Sequence, residues 1–212
     1  MPHPVSRRRR RRLGLGLAAA LLLVTPPTLV TLAESGPRSV AVAGAPDTAA
    51  GRAAFETVRQ VLQHPRCQNC HVPGDAPLQF DAGLPNAQSV VRGPAGRGAP
   101  GLPCATCHGA KNRPASYGPA VPPGAPDWQL PPPETKMVFI GLSAPELCSR
   151  LKDVKQTGGK DLPAMLAHVR DVPLVQWGWS PGLGRAPVPV PHALFVERFQ
   201  AWIDAGAPCP PR

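Results

Sequence analysis

The sequence predicts a mainly α-helical protein with long loops that are rich in Pro and Gly. Four segments carry helix signals, either as apolar residues at helical spacing or as a capping sequence. The chain contains 31 Pro and 21 Gly, and many of them lie between these segments, where they predict turns and irregular backbone. No segment shows the alternation of apolar and polar residues that is typical of a half-buried strand.

The first predicted helix runs from Asp47 to Gln63. Asp47 or Thr48 can cap its N-terminus, and Pro65 prevents its continuation. Its apolar face should consist of Ala54, Phe55, Val58, Val61 and Leu62. This helix should lead the chain directly into the first cysteine motif.

Three further helices are predicted in the second half of the chain. Ser143 opens a capping box, completed by a Glu three residues later, for a helix that ends near Asp153. Another helix is predicted over residues 161–169, where the first residue is an Asp cap. The last helix is predicted over residues 191–203. Its apolar stripe should consist of Leu194, Phe195, Val196, Phe199, Trp202 and Ile203.

The N-terminal segment has the pattern of an export signal. Residues 1–12 are strongly basic, and residues 13–24 form an apolar run that a Pro pair follows. A run of 12 apolar residues suits a signal peptide and is shorter than the roughly 20 residues that span a bilayer. Cleavage is expected after Ala33 or Ala43, and an uncleaved membrane anchor is the alternative. The expected location of the mature protein is the periplasm.

The positive charge of the chain is concentrated in this leader. The formal net charge is +10, and Arg7–Arg12 alone contribute six positive charges. From Ala45 onward, 16 Lys and Arg residues face 12 Asp and Glu residues, an excess too small to predict nucleic-acid binding. Residues 1–43 are therefore assigned to a signal peptide and linker, and residues 47–212 to one domain.

Two copies of the pattern Cys-x-x-Cys-His indicate the chemistry of the chain. In the first copy, Cys67 and Cys70 lie three residues apart and His71 follows directly. Two thiols on one helical turn can add to the two vinyl groups of a porphyrin, and the next residue can coordinate the iron. This is the attachment pattern of a c-type haem. The second copy consists of Cys104, Cys107 and His108.

Two other interpretations of these cysteines are a four-thiolate zinc site and a pair of redox dithiols. Neither explains why His follows both pairs in a chain that contains six His. The sequence therefore predicts two covalent haems c. Only 32 residues separate the two motifs, so the haems should share one compact unit. Because aromatic residues make up only 5% of the chain, folding should depend on haem attachment.

Each haem iron needs a sixth ligand, and the candidates are His64, His168, His192, Met137 and Met165. We predict His168, His192 and Met137 as metal ligands beside the two motif histidines. Either His168 or Met165, one helical turn apart, could face the same iron, whereas His64 could reach only the neighbouring haem. The ordinary alternative for a single His on an apolar face is a hydrogen-bonded core residue.

Two cysteines, Cys148 and Cys209, remain after four are assigned to haem. Two spare thiols in an oxidising compartment usually pair, so a disulfide between them is expected. The alternative is two buried free thiols. The aromatic residues Trp177 and Trp179 either flank a haem face or fill the core, and the core is favoured.

Several further segments accompany the two haem motifs: His64-Pro65-Arg66, Val90-Val91-Arg92-Gly93-Pro94, Gly124-Ala125-Pro126, Leu147-Cys148, Gly158-Gly159, Trp177 to Gly182 and Gly206 to Pro210. In these segments, over most of residues 55–210, the chain resembles a family of small exported bacterial dihaem cytochromes. Its members are often labelled as an isoquinoline 1-oxidoreductase subunit. The resemblance implies a compact dihaem cytochrome c unit that accepts electrons from a molybdenum hydroxylase-type dehydrogenase.

The resemblance also identifies one departure from the family pattern. The family has a His where this chain has Asn86, shortly before the Val-Val-Arg-Gly segment. If that His is a distal ligand in the family, one iron here uses Met137 or stays open.

The expected function is one-electron transfer between an exported dehydrogenase and a respiratory acceptor, without catalysis by the chain itself. Its partners would be redox proteins. Two alternatives have one open iron: a dihaem peroxidase-like enzyme and a haem sensor. The coordination number of the second iron separates the carrier from both alternatives.

Overall fold

The computed structural model describes residues 48–212. The predicted leader, its cleavage positions, the linker and Asp47 lie outside the described residues. Within the described residues, six α-helices and two small hairpins are joined by long loops. The helices are α1 Thr48–Leu62, α2 Pro65–Gln68, α3 Ala144–Lys152, α4 Leu162–Asp171, α5 Pro173–Gln176 and α6 His192–Asp204.

The core forms around the packing of α1 against α6. Phe55 of α1 contacts Trp202 of α6 with ring centroids 5.1 Å apart, and neither side chain has measurable exposure. Close approach is possible because α1 carries Gly51 at the contact. A Cβ atom at this position would lie 2.6 Å from the ring of Pro208, which follows α6. Helix α4 also packs on α6 and contributes Met165, Leu166 and Val169 to the same core.

Helix α3 is held to the C-terminal segment by a covalent bond. Cys148, fully buried on α3, forms a disulfide with Cys209, and the two Cα atoms lie 5.6 Å apart. The helix begins where its capping sequence predicts. The carboxylate of Glu146 accepts hydrogen bonds from the backbone N–H and the hydroxyl of Ser143 at 2.8 and 2.6 Å. These contacts satisfy polar groups that a helix N-terminus otherwise leaves unpaired.

The long loop between α2 and α3 contains two antiparallel hairpins of two-residue strands. They pair β1 Leu78–Gln79 with β2 Leu84–Pro85, and β3 Gly98–Ala99 with β4 Leu102–Pro103. One buried side chain organises this loop. Arg92, which is 1% exposed, donates hydrogen bonds to the carbonyls of Val72, Gly74 and Pro131.

The predicted fold class, mainly α with long Pro- and Gly-rich loops, is confirmed for the described residues. Each predicted helix is present, with its ends displaced by at most two residues. The four-residue helices α2 and α5 and the four short strands were not predicted, because two to four residues are too few to create a periodic pattern. None of the helices described within residues 48–212 is both long and apolar enough to cross a bilayer.

Candidate functional site

The first motif lies on a single helical turn at the end of α2. His64 precedes this short helix, and its Nδ1 accepts a hydrogen bond from the backbone N–H of Arg66 at 3.3 Å. The backbone N–H groups of Cys70 and His71 then donate to the carbonyl of Cys67 at 3.2 and 3.3 Å. Because residues three and four apart on a helical turn share one face, the turn brings both thiols and the imidazole to the same side.

The second motif adopts the same turn without a preceding helix. The backbone N–H groups of Cys107 and His108 donate to the carbonyl of Cys104 at 3.2 and 3.0 Å. Pro103 enters the turn with an extended backbone, and a 3₁₀ helix covers Cys104–Thr106. Two unrelated local sequences therefore fold into the same arrangement of Cys, Cys and His.

The ring of His71 is fixed by one hydrogen bond and one aromatic face. Its Nδ1 lies 2.7 Å from the carbonyl oxygen of Met137, and its ring stacks on Phe139 with centroids 3.9 Å apart. A carbonyl can only accept, so Nδ1 carries the proton and Nε2 keeps its lone pair. Burial lowers the pKa of His71 to about 4, so the ring is neutral at neutral pH.

The ring of His108 is fixed in the same way by a different part of the chain. Its Nδ1 donates to the carbonyl of Pro123 at 2.8 Å, and the ring stacks on Trp128 with centroids 4.3 Å apart. Burial lowers the pKa of His108, and the nearby charge of Arg185 lowers it further. Both motif histidines are thus oriented with Nε2 available for a metal, the arrangement usual for metal-binding imidazoles.

None of the four motif cysteines forms a disulfide. Burial raises the pKa of Cys67 to about 12 and that of Cys70 to about 11, and it also raises the pKa of Cys104. These three thiols are therefore protonated at neutral pH, unlike the thiolates of a reactive dithiol. Within residues 48–212, no three side chains of His, Cys, Asp or Glu form a group that could hold a metal ion.

A cavity of about 230 Å³ lies between the two motifs. Its wall includes Cys70 of the first motif and the Cys and His side chains of the second. The remaining wall is largely apolar and comes from the two hairpins and from Trp128 and Trp177. Cys104 is close enough to Cys70 to contribute to the raised pKa of that thiol. The thiols, the imidazole and the apolar wall together could hold a flat, apolar cofactor with a metal centre.

Two arginines complete the wall of this cavity. Arg66, whose side chain is 3% exposed, forms an ion pair with Asp81 and lies over the ring of Trp177, 5.8 Å from its centroid. Arg185 donates a hydrogen bond to the carbonyl of Val121 at 2.5 Å. Burial and the charge of Arg66 both lower the pKa of Arg185.

His168 and His192, both predicted as distal ligands, occupy different environments. His168 on α4 is close enough to His71 for its charge to lower the pKa of that ring. His192 lies elsewhere, with Nε2 2.9 Å from the carbonyl of Val169 and its ring against Trp179. It does not line the cavity between the motifs. Its contacts are those of the hydrogen-bonded core histidine that was the alternative for this position.

The two methionines that were candidates for iron ligands, Met137 and Met165, are both buried in the core. Met137 is 6% exposed and packs in the core, while its carbonyl contacts Nδ1 of His71. That carbonyl lies on the side of the ring away from Nε2, so this placement does not favour Met137 as a ligand of an iron at His71. Met165 is also buried in the core. Asn86 lines the cavity, and its side chain accepts a hydrogen bond from Gln88 N–H at 2.9 Å.

The sequence interpretation missed the residues that orient the motif histidines. Phe139 and Trp128 follow Pro-rich loops and carry no periodic signal that links them to a motif. The two tryptophans of the Trp-Gly-Trp segment have separate roles. Trp177 lines the cavity and packs edge-on against Trp128, whereas Trp179 packs against Phe195 in the core.

Comparison with known proteins adds no relative to this description. The chain matches no protein-family model, no curated protein and no solved structure.

Proposed function

We propose that the chain is an exported one-electron carrier with two covalently bound c-type haems. One observation carries the proposal: each Cys-x-x-Cys-His turn presents a neutral imidazole whose Nδ1 is held by a backbone carbonyl and whose face rests on an aromatic ring. Two such turns are built from unrelated segments, and packing alone does not explain why both have this arrangement. The wall of one cavity includes Cys70 of the first turn and Cys104, Cys107 and His108 of the second.

The residues of this chain would attach, orient and shield the two haems. In this proposal, Cys67 and Cys70 form thioethers to the first haem and His71 is its proximal ligand. Cys104, Cys107 and His108 have the same roles for the second haem. When bound, each haem supplies an iron that takes up and releases one electron. Hydrogen bonds to the two carbonyls fix the tautomer and basicity of each imidazole.

The two haems would lie within one unit, as the closeness of Cys70 and Cys104 indicates. His168 is the proposed distal ligand of the first haem because it is close enough to His71 to influence that ring electrostatically, whereas Nε2 of His192 is bonded to the carbonyl of Val169. An oxidising compartment, the periplasm, agrees with the disulfide between Cys148 and Cys209 and with the predicted leader. The electron donor in this proposal is an exported molybdenum hydroxylase-type dehydrogenase, and the acceptor is respiratory.

A second candidate function is a haem enzyme or sensor with one open iron. The observation in its favour is the position of His192, whose Nε2 is bonded to the carbonyl of Val169 instead of facing the cavity. Asn86, which does line the cavity, is a poor iron ligand compared with His or Met. Binding of carbon monoxide by the unmutated reduced protein at one haem would favour this candidate.

A spectroscopic redox titration tests the carrier proposal. The protein is produced with a c-type haem maturation system and titrated between its oxidised and reduced forms. The carrier account predicts two reversible one-electron steps, with reduced spectra typical of six-coordinate low-spin c-type haem. Turnover of hydrogen peroxide by the same preparation, together with a high-spin haem, would instead support the enzyme.

A further inference from the structure

A buried cation with an unused donor lies in the wall of the cavity. The guanidinium of Arg66 is paired with Asp81 through Nη2, but its Nε is buried and has no hydrogen-bond partner among the described residues. A buried N–H of a charged group without an acceptor is costly and rare. The cavity that Arg66 lines is therefore a natural place for an additional acceptor.

A second cation lies beside the first. Arg185 also lines the cavity, and it is near enough to Arg66 and to His108 for the charges to influence one another. Asp81 is the acidic partner of this pair: it accepts from Arg66 and from the backbone N–H of Ala186. Two positive charges and one negative charge leave an excess of one positive charge at the cavity wall.

We propose that Arg66 and Arg185 bind a propionate carboxylate of the haem attached at Cys104 and Cys107. The inference rests on the proposed function and adds a binding role for two residues outside the haem motifs. A carboxylate can accept a hydrogen bond from the unpaired Nε–H of Arg66, and its negative charge neutralises the excess positive charge at the cavity wall. The haem propionates are the only anionic groups that an attached haem brings to the cavity.

The proposal predicts a chemical property of the propionate that can be measured directly. In the oxidised holoprotein, proton NMR can follow the haem propionate signals through a pH titration. One propionate should titrate at clearly lower pH than the others, because paired cations favour its ionised form. In the Arg185→Gln variant, the pKa of that propionate should rise by about 1 unit or more. The midpoint potential of one haem should also fall, because a positive charge near the iron has been removed.

Two control variants distinguish the effect of the positive charge at position 185 from a general effect of substituting an arginine. Arg185→Lys keeps the positive charge and should retain most of the low propionate pKa. Arg170→Gln removes an exposed arginine that pairs with Asp171 on α4, and it should change neither the propionate titration nor either potential. If the Arg185→Gln chain fails to acquire its haems, the propionate titration of the unmutated holoprotein still tests the proposal.

The proposal is overturned if all propionates titrate together in the unmutated holoprotein. It is also overturned if Arg185→Gln leaves both the titration and the potentials unchanged. A potential that responds to added phosphate, while the propionates titrate together, would mean that the arginines bind a solution anion. Each of these outcomes is obtained with two haems attached. A chain without covalent haem would contradict the proposed function itself, so the two failures are distinguishable.

Discussion

At the scale of single residues, the orientation of each motif histidine depends on groups that lie far away in the sequence. The carbonyl that holds His71 belongs to Met137, 66 residues later, and the carbonyl that holds His108 is 15 residues away. Hydrogen bonds of this kind fix which ring nitrogen is protonated and how the ring is aimed. The site is therefore assembled by the loop that follows each motif as well as by the motif.

The aromatic partner of His71 should contribute strongly to stability. Phe139 is 3% exposed and stacks on the imidazole. Replacing it with Ala should lower the free energy of unfolding by about 3–5 kcal/mol, because a large side chain is removed from the core. Denaturant unfolding of the holoprotein measures this loss.

A matched control for this substitution is Tyr117→Ala, since Tyr117 is 62% exposed. Its free energy of unfolding should stay within about 0.5 kcal/mol of the unmutated value. Equal effects of the two substitutions would contradict the contribution to stability assigned to Phe139.

The distal histidines provide a second prediction at this scale. His168→Ala should convert the first haem to a high-spin form that binds carbon monoxide, because its sixth ligand is lost. His192→Ala should leave the visible spectrum unchanged, because Nε2 of His192 is bonded to the carbonyl of Val169. Visible spectra of the reduced variants, with and without carbon monoxide, provide the comparison. The assignment is wrong if His192→Ala opens a haem and His168→Ala does not.

At the scale of secondary structure elements, the helices could be predicted because their signals are local. Ser143 caps α3 and Asp161 caps α4, and the apolar residues of α1 and α6 recur at helical spacing. The contacts that build the candidate site could not be predicted in this way. Met137 and Pro123 offer carbonyls that every residue has, and only the path of the loops brings them to the motifs.

The capping box of α3 should make stability depend on pH. Hydrogen bonds from Ser143 lower the pKa of Glu146. A carboxyl whose pKa is lower in the folded chain contributes stability above its unfolded pKa, about 4.3, and this contribution is lost as pH falls through the folded pKa. The melting temperatures of the unmutated protein and Glu146→Gln should therefore differ at pH 7 and converge in acid. A difference that is constant with pH would contradict this role for the charge.

The disulfide joins α3 to the segment after α6, so its removal should loosen the C-terminus. Replacing Cys148 and Cys209 by Ala should lower the free energy of unfolding by about 2–5 kcal/mol, the usual cost for a small exported domain. Urea unfolding measures the change. As a check on the oxidised state, an alkylating reagent should label neither cysteine of the denatured protein before reduction. Free reaction of both cysteines would show that the C-terminus is held by packing alone.

At the scale of the whole molecule, the protein has few aromatic residues and a large share of Pro and Gly, yet two Cys-x-x-Cys-His turns meet at one cavity. The helical core around α1 and α6 can be built from the side chains of the chain. In the loop half, residues 72–140, the regular secondary structure consists only of short strands and 3₁₀ turns. Attached haems would supply the apolar volume that this half lacks, so its order should depend on them.

The most direct test of the account is the intact mass of the purified protein under denaturing conditions. The account predicts the mass of the processed polypeptide plus two haems, because thioether bonds survive denaturation. The variant in which Cys67 and Cys70 are both Ala should carry one haem fewer, whereas replacing Cys148 and Cys209 should leave the haem count at two. A polypeptide mass without haem, above all from a preparation that contains zinc, would contradict the central claim.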